Sequence, residues 1–400
     1  MKKGLVLEAY IMDWLNAMLR FAHFITGIAW IGASFYFNWL ENNLNRTAGQ
    51  KEDLAGHLWA VHGGGFYYLK KFKSYPKELP KHLHWFKWEA YFTLITGFSL
   101  FVVVYYYNAS SYLVKAGAEI SSTIGIILSL AGILVGWLIY DNITKSSLVK
   151  KQWLISLIML LVVAFSAFFY SQYFTPRAVF IQVGAMIGTI MVFNVFFVIM
   201  PAQRQLVQAC IDKSELGEEI GFKGYIRSRN NNYFTLPVLF IMISNHYPIF
   251  YSGANAPIVL IAIFVITVLI RHYFNLEGEN KKGGKRTLAL ATILTAIAFY
   301  ALIPAQVKPL EDNRVVSFEE ANTIIQNRCA TCHSKSPSDD TFTTAPSGFT
   351  LDTKQEIINT KDLIYTRTIS SDSMPFGNKT EMTQEERQVL ASWLNSLSKN

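Results

Sequence analysis

The sequence predicts an all-α protein: a polytopic membrane helix bundle of about eight spans over residues 1–305, followed by a small soluble helical domain over residues 306–400. Two observations predict this division. The 400 residues are 51% hydrophobic and only 16% charged, whereas soluble domains carry about a quarter charged residues. After Pro304 the chain becomes polar, and no further apolar run is long enough to cross a bilayer.

Eight apolar runs come close to the length that crosses a hydrocarbon core of ~30 Å. They lie at about 14–40, 86–107, 121–140, 153–171, 178–200, 234–250, 256–272 and 287–305. Pro237 and Pro248 interrupt the sixth run, and irregular backbone at membrane depth is tolerated where it lines a cavity. The sixth span is therefore a candidate for function, with a plain proline kink as the alternative.

Basic residues set the expected orientation of the bundle. Lys and Arg are concentrated in the first, third, fifth and seventh connections, and the even connections hold little more than Lys115 and Arg177. The positive-inside rule then places the odd connections in the cytoplasm and both termini outside. We expect a multi-pass protein of a bacterial inner membrane with its C-terminal domain in the periplasm. The same distribution accounts for the formal net charge of +8, so no nucleic-acid partner is expected.

The strongest chemical motif is "CATCH", which contains Cys329, Cys332 and His333. In C-x-x-C-H the two thiols form thioethers to a haem, and the adjacent histidine binds the iron. A thioredoxin-like dithiol would need a βαβ context, and a zinc site would need a second ligand pair; the tail has neither. Met374, followed by Pro375, is the candidate second iron ligand, and an ordinary core methionine is the alternative.

The flanks of this motif fit a class I cytochrome c domain. The segment Ser317–Glu320 is a capping-box pattern that begins a helix leading into the haem motif. Thr383–Glu386 begins a last helix, whose apolar face consists of Val389, Leu390, Trp393 and Leu394. Covalent haem attachment takes place outside the cytoplasm, which agrees with the orientation predicted from the basic residues.

Polar residues also occur inside the predicted spans, where they are costly and usually functional. In the first span a polar and small-residue stripe recurs every three or four residues: Arg20, His23, Gly27, Trp30 and Ser34. The sixth span ends with Asn245 and His246. His23 and His246 fall in the outer third of the membrane, so they are candidate ligands of a haem b, with substrate contacts or hydrogen bonds to carbonyls as alternatives.

A second polar set lies at the cytoplasmic ends of the spans. It consists of His62 before three glycines, Trp88 and Glu89 in "HWFKWEAY", Trp137 and Asp141, and Arg227, Arg229 and Asn230 to Asn232. At the three glycines we expect the backbone to approach a ligand closely. Aromatic rings, amides and cations of this kind suit a flat, anionic heterocycle. An interfacial belt of Trp, Tyr and Lys is the alternative, although it accounts poorly for Glu89 and for the run of asparagines.

Several long strings resemble one family, the membrane-bound, cytochrome c-linked urate oxidases. They are "HFITGIAWIGASFYFN", "VHGGGFYYLKKF", "HWFKWEAYFTLITGF", "NNNYFTLPVLFIMISNHYP", "CATCH" and "MPFGNKTEMTQEER". The resemblance implies an eight-span domain that oxidises urate to 5-hydroxyisourate with water, in purine catabolism. It also implies a fused cytochrome c, with haem c on Cys329, Cys332, His333 and Met374, that passes electrons to the respiratory chain.

Within that reading, Arg229, Asn231, Asn232 and Trp88 are the candidate urate-binding residues, and Glu89 or His62 is the candidate base. This set lies most of a membrane thickness from an external haem. Either a haem b on His23 and His246 relays the electrons, or urate binds near those histidines. The competing functions are another membrane dehydrogenase or quinol-oxidising cytochrome, and a haem-bearing sensor.

Overall fold

A computed structural model describes residues 2–47, 54–73, 76, 78–214, 218–251, 255–278, 282–303, 307, 309–310, 314–339, 342, 344–371 and 373–397. The predicted boundary between the bundle and the C-terminal domain, at residues 305 and 306, lies outside these ranges.

The described chain is mostly helical, as predicted. The helices of the first three quarters are α1 (Lys2–Asn43), α2 (Trp88–Phe101), α3 (Ala109–Tyr112), α4 (Ser122–Lys145), α5 (Gln152–Tyr173), α6 (Pro176–Asn194), α7 (Met200–Asp212), α8 (Glu218–Ser244), α9 (Ala256–Gly278) and α10 (Gly284–Ala301). The C-terminal part adds α11 (Phe318–Arg328), α12 (Lys354–Asn359), α13 (Lys361–Ile364) and α14 (Gln384–Leu397). A π-helical turn, Val102–Tyr106, continues α2, and another, Val195–Ile199, joins α6 to α7.

Six described helical segments are long and apolar enough to cross a membrane. They are Tyr10–Asn43, Trp88–Tyr106, Ser122–Lys145, Gln152–Tyr173, Pro176–Asp212 and Ala256–Gly278. The predicted sixth and eighth spans also fall in helices, but α8 carries Arg227 and Arg229, and α10 begins beside Lys285 and Arg286. The count of eight spans stays a prediction.

The sixth predicted span is less interrupted than its prolines indicate. Pro237 lies inside α8 without ending it, and the helix continues to Ser244. Pro248 begins a short 3₁₀ turn, Pro248–Phe250, beyond the helix end. The missing N–H of Pro237 therefore produces no break in α8, and the irregular backbone is confined to the segment after Ser244.

The prediction of an all-α chain is wrong between α1 and α2. Strands β1 (Leu54–His62) and β2 (Gly65–Phe72) pair in an antiparallel hairpin with His62 opposite Gly65. Gly63 and Gly64 form the two-residue turn with φ of +58° and +79°, as a type I′ hairpin turn requires. The glycines that the sequence analysis assigned to a close ligand approach are thus explained by turn geometry.

In the bundle, α6 is buried over most of its length and packs against α4, α5 and α8. By contrast α1 packs mainly along α2 and leaves large apolar side chains outside: Phe21 is 63% exposed and Phe24 65%. On α5, Phe165 is 70% exposed. Apolar exteriors of this extent are rare on soluble monomers and are typical of surfaces that meet a membrane or a partner.

A buried ion pair joins three helices of the bundle. The guanidinium of Arg227 on α8 donates to Asp141 Oδ1 on α4 over 2.7 Å and to Asn194 Oδ1 on α6 over 2.9 Å. It also lies 5.0 Å from the centroid of the Tyr140 ring. Arg227 is only 3% exposed, so its charge depends on these partners.

The C-terminal part has an apolar core of its own, in which α11 packs against α14. The predicted helix starts are confirmed: Glu320 N donates to Ser317 Oγ, and Glu386 N donates to Thr383 Oγ1. Leu390, Trp393 and Leu394 of the predicted apolar face are buried, and Val389 packs against them partly buried.

Glu356 fastens the segment that precedes α12. Its carboxylate accepts hydrogen bonds from Thr350 Oγ1 and from Thr353 N, each 2.9 Å long, and lies 3.3 Å from Lys335 Nζ. These bonds hold the pKa of the Glu356 carboxyl at about 2, well below its usual 4.5, with the Thr350 hydroxyl as the largest cause. The carboxylate therefore stabilises the folded domain at neutral pH.

We expect Asp141→Asn to destabilise the bundle by about 3 kcal/mol, because it leaves the buried Arg227 charge uncompensated. The measurement is thermal or denaturant unfolding in detergent. Lys145→Gln is the matched control: Lys145 also pairs with Asp141, but its side chain is 67% exposed, so its loss should cost at most about 1 kcal/mol. Equal effects of the two substitutions would contradict the role of the buried pair.

We also expect Glu356→Gln to flatten the acid sensitivity of the C-terminal domain. A carboxyl whose pKa is lower in the folded state than in the unfolded state stabilises the fold at pH values above the unfolded pKa. This stabilisation is lost as the pH falls, here from about 4.5 towards about 2. Calorimetry of the intact protein across this window should show a smaller fall in melting temperature for Glu356→Gln than for the wild type. Glu381→Gln, which changes an exposed carboxylate of the same domain, should retain the wild-type fall; identical slopes in both variants would refute the prediction.

Candidate functional site

The C-x-x-C-H motif lies where α11 ends. Cys329 is the C-cap residue of this helix, and the next turn carries Cys332 and His333. Both cysteines are free, and each residue as a whole is partly exposed. Because the core face of α11 packs on α14, the position of the two cysteines is fixed by the apolar core behind them.

His333 is held in a defined orientation. The residue is only 8% exposed, and its Nδ1–H donates to the carbonyl oxygen of Phe349 over 3.3 Å. The Phe349 ring packs on the imidazole with 4.2 Å between centroids. This hydrogen bond places the proton on Nδ1 and leaves Nε2 as a lone-pair donor, which is the arrangement that metal-binding histidines use.

A cleft of about 760 Å³ opens beside these residues. Cys329, Cys332, His333 and Met374 line one wall, and residues from one end of the helix bundle line the other. Its volume lies within the range of cofactor pockets. The donor set, two thiols with an imidazole and a thioether, suits a covalently attached haem with histidine and methionine as iron ligands.

The pKa values of the two thiols distinguish between two interpretations of the motif, a haem anchor and a redox-active dithiol. Burial raises the pKa of the Cys329 thiol to about 12, and burial followed by the charge of Asp339 raises the pKa of Cys332. Dithiols of thioredoxin type need a lowered thiol pKa, because the thiolate is the nucleophile. The environment of these cysteines is the opposite of the one that such chemistry requires.

The bundle contributes an ordered polar wall to the cleft. Thr175 caps α6 and donates through its hydroxyl to Tyr112 O over 2.8 Å. Arg177, in the first turn of α6, donates from Nε to Asn245 Oδ1 over 2.8 Å, and the Tyr105 hydroxyl donates to the same oxygen over 3.2 Å. His246, next to Asn245, is exposed and lines the cleft.

The two histidines of the membrane part do not share this cleft. His23 of α1 packs on α2, where its Nδ1–H donates to Thr93 O over 3.1 Å and lies 3.2 Å from Thr96 Oγ1. Gly97 makes room for the imidazole, because a Cβ there would meet the ring at 2.7 Å. His23 is not among the residues that line the cleft, whereas His246 is.

The asparagines that follow Arg229 are buried in the bundle. Asn231 receives a hydrogen bond from Asn194 Nδ2 over 2.8 Å and donates to Met191 O over 2.9 Å. Asn232 Oδ1 accepts from Arg271 Nε over 2.9 Å, while its Nδ2 is buried without a hydrogen-bond partner. Asn231 therefore serves the packing of α6 against α8, and Arg229 is partly exposed.

The candidate bases and Trp88 differ in their surroundings, and their joint role stays a prediction. Glu89 has a buried Oε2 without a hydrogen-bond partner. Trp88 is 57% exposed, and His62 is exposed at the end of β1. Within the described residues, none of the hydrogen bonds, ion pairs or ring contacts joins His62 to Glu89. The described chain also contains no group of three or more His, Cys, Asp or Glu side chains placed to hold a metal ion.

Sequence reasoning missed the partners of two arginines, and it missed the hairpin. Arg227 and Arg177 are fixed by partners on other helices, Asp141 and Asn245, and no local pattern announces such pairings. The hairpin had a local sign, since a Gly-Gly pair between two aromatic and apolar runs is a typical two-residue turn.

Comparison with known proteins now adds the family. No curated protein and no solved structure matches the chain. A family model described as urate oxidase N-terminal matches residues 9–303, which include every candidate membrane span. This match covers about three quarters of the chain and indicates an oxidoreductase with a urate-related function. The chain belongs to the urate oxidase N-terminal family.

Proposed function

We propose that the chain is a membrane-bound urate oxidase whose C-terminal domain carries a covalent haem c and passes electrons to a respiratory-chain acceptor. One observation carries the proposal: the haem-attachment motif opens onto a cleft whose opposite wall is the end of the helix bundle, and that bundle is the part of the chain that matches the urate oxidase family. A donor domain and an acceptor domain thus face each other across one cavity.

The reaction balances without hydrogen peroxide. Urate loses two electrons and two protons, and one whole water molecule adds to the oxidised purine, which gives 5-hydroxyisourate. The new bond joins the water oxygen to C5 of the purine. A haem bound in the cleft would accept the two electrons one at a time, and the respiratory chain would be the final oxidant.

Four side chains would hold the haem. Cys329 and Cys332 would form the thioethers, while His333 Nε2 and the Met374 sulfur would bind the iron. The hydrogen bond from His333 Nδ1 to Phe349 O supports this role, because it orients the imidazole and raises its basicity. Glu356 contributes at a distance, since it fastens Thr350, the residue after Phe349.

Two features support a place in a bilayer with the C-terminal domain outside. Large apolar side chains cover the exterior of the bundle. The C-terminal domain sits at the end that carries Tyr112, Thr175 and Asn245. Tyr112 and Thr175 belong to the second and fourth connections, and Asn245 lies near the end of the sixth predicted span. The even connections hold few basic residues, so the positive-inside rule assigns this end to the periplasm.

Distance limits where urate can give up its electrons. The set around Glu89 and Asn232 lies towards the opposite end of the bundle: from Trp88 to Tyr106 the chain rises about 27 Å along the helix axis, at 1.5 Å per residue. Electron transfer weakens steeply over such a gap. A haem b relay would need His23 and His246 together, and only His246 lines the cleft, so a substrate site near the cleft fits the geometry better.

We expect haem attachment to require both thiols of the motif. Replacing Cys329 and Cys332 together by Ala should abolish covalent haem, which a denaturing gel stained for haem and a pyridine haemochrome spectrum detect. Cys210→Ala is the control and should retain it. Met374→Ala should keep the covalent haem but lower its reduction potential, because the thioether stabilises ferrous iron. Covalent haem in the double variant would refute this assignment.

We expect urate to reduce the haem of the wild-type protein without oxygen. The protein is purified anaerobically in the oxidised state, and its absorption spectrum is followed after urate is added. The control is a quinol analogue, which should reduce the haem poorly. If dithionite and the quinol reduce it but urate does not, the urate assignment is wrong and a quinol-oxidising function takes its place.

A further inference from the structure

A second, smaller cavity lies directly beside the cleft. Its volume is about 210 Å³, and it is bounded by α1, by the turn after α2 and by the start of α6. Tyr112 and Arg177 line both this cavity and the cleft. The two spaces therefore share a wall.

Two cations dominate the lining of this cavity. Arg20 donates from Nη2 to Asn16 Oδ1 over 3.0 Å, and Arg177 donates from Nε to Asn245 Oδ1 over 2.8 Å. Both partners are neutral amides. Within the described part of the chain, neither guanidinium lies within ion-pairing distance of a carboxylate, although the exposed Asp13 also lines the cavity. The lining thus carries two positive charges and one negative charge, so the cavity favours the binding of a singly charged anion.

The remaining lining suits a flat heterocycle. Asn16 and Asn108 offer amide groups that can match the edge of a heterocycle, and Tyr112 offers an aromatic ring. Drug-sized ligands occupy cavities of about 300–1,000 Å³, so a space of about 210 Å³ suits a ligand of about a dozen non-hydrogen atoms, the size of urate. Guanidinium groups bind planar anions through paired donors.

Tyr112 connects this cavity to the haem-binding loop. Its ring lies 5.2 Å from the ring of Phe376 and 6.5 Å from that of Phe342, measured between centroids. Phe376 follows Met374 and Pro375, and all three line the cleft. A ligand in the small cavity is thus separated from the cleft by one aromatic side chain. Its electrons would not have to cross the distance between the Glu89 end of the bundle and the cleft.

We infer that this cavity binds urate as an anion, held by Arg20 and Arg177 one side chain away from the haem cleft. The identity of the ligand rests on the proposed function, whereas the existence of an anion site rests on the cavity and its two arginines. Arg20 is the informative residue, because it lines the small cavity and not the cleft.

The test is urate binding to the dithionite-reduced protein, in which no turnover takes place, by equilibrium dialysis with labelled urate. Arg20→Gln should raise the dissociation constant about 10- to 100-fold, the loss expected for one charge-assisted hydrogen bond. Arg20→Lys should restore part of the affinity. Arg286→Gln, which changes an exposed arginine at the start of α10, should bind as the wild type does.

A second readout is the rate of haem reduction against urate concentration in the oxidised protein. Arg20→Gln should raise the half-saturating concentration by a similar factor and leave the limiting rate and the haem spectrum nearly unchanged. If the wild type binds urate and Arg20→Gln weakens this binding, but urate does not reduce the haem, the oxidase proposal is wrong and the anion site is supported. Unchanged binding in Arg20→Gln, with weakened binding in Arg229→Gln, would overturn the inference and move the site to the other end of the bundle.

Discussion

The buried pair between Arg227 and Asp141 is the interaction on which the bundle depends. It joins α8 to α4 over 2.7 Å and, through Asn194, to α6. A charge buried in an apolar bundle is tolerated only with such partners, so these three helices are held in one register. Since α6 is thereby fixed at one end, its other end presents Thr175 and Arg177 to the cleft at a defined position.

This network also explains why part of the site was predictable from the sequence and part was not. Apolar runs reveal helices, because their length and hydropathy are local properties. The motif with Cys329 and His333 is local too. The role of Asn231 is not, since its partners, Asn194 and Met191 O, come from another helix. A run of asparagines has the same sequence pattern whether its side chains bind a substrate or a neighbouring helix.

The same reasoning applies to the hairpin and to the second cavity. The glycines after His62 were assigned to ligand approach, although two consecutive residues at positive φ are the turn of a hairpin. From the sequence, Arg20 was one member of a polar stripe on α1. Its neighbour in the cavity, Arg177, lies on α6, and from the sequence it was only one of the few basic residues in the even connections. Only the folded chain places the two side chains in one cavity.

With urate in the small cavity and a haem in the cleft, as proposed above, the wall that Tyr112 forms between the two cavities would impose an order of events. A donor of two electrons beside a carrier of one must surrender them in succession, and the carrier must be emptied before the second can leave. A half-oxidised purine would have to stay in place during that interval. In the proposed site, two guanidinium groups without carboxylate partners in the described chain would retain the anion for that time. The residence time of the substrate, and not its affinity alone, then governs how often the oxidation is completed.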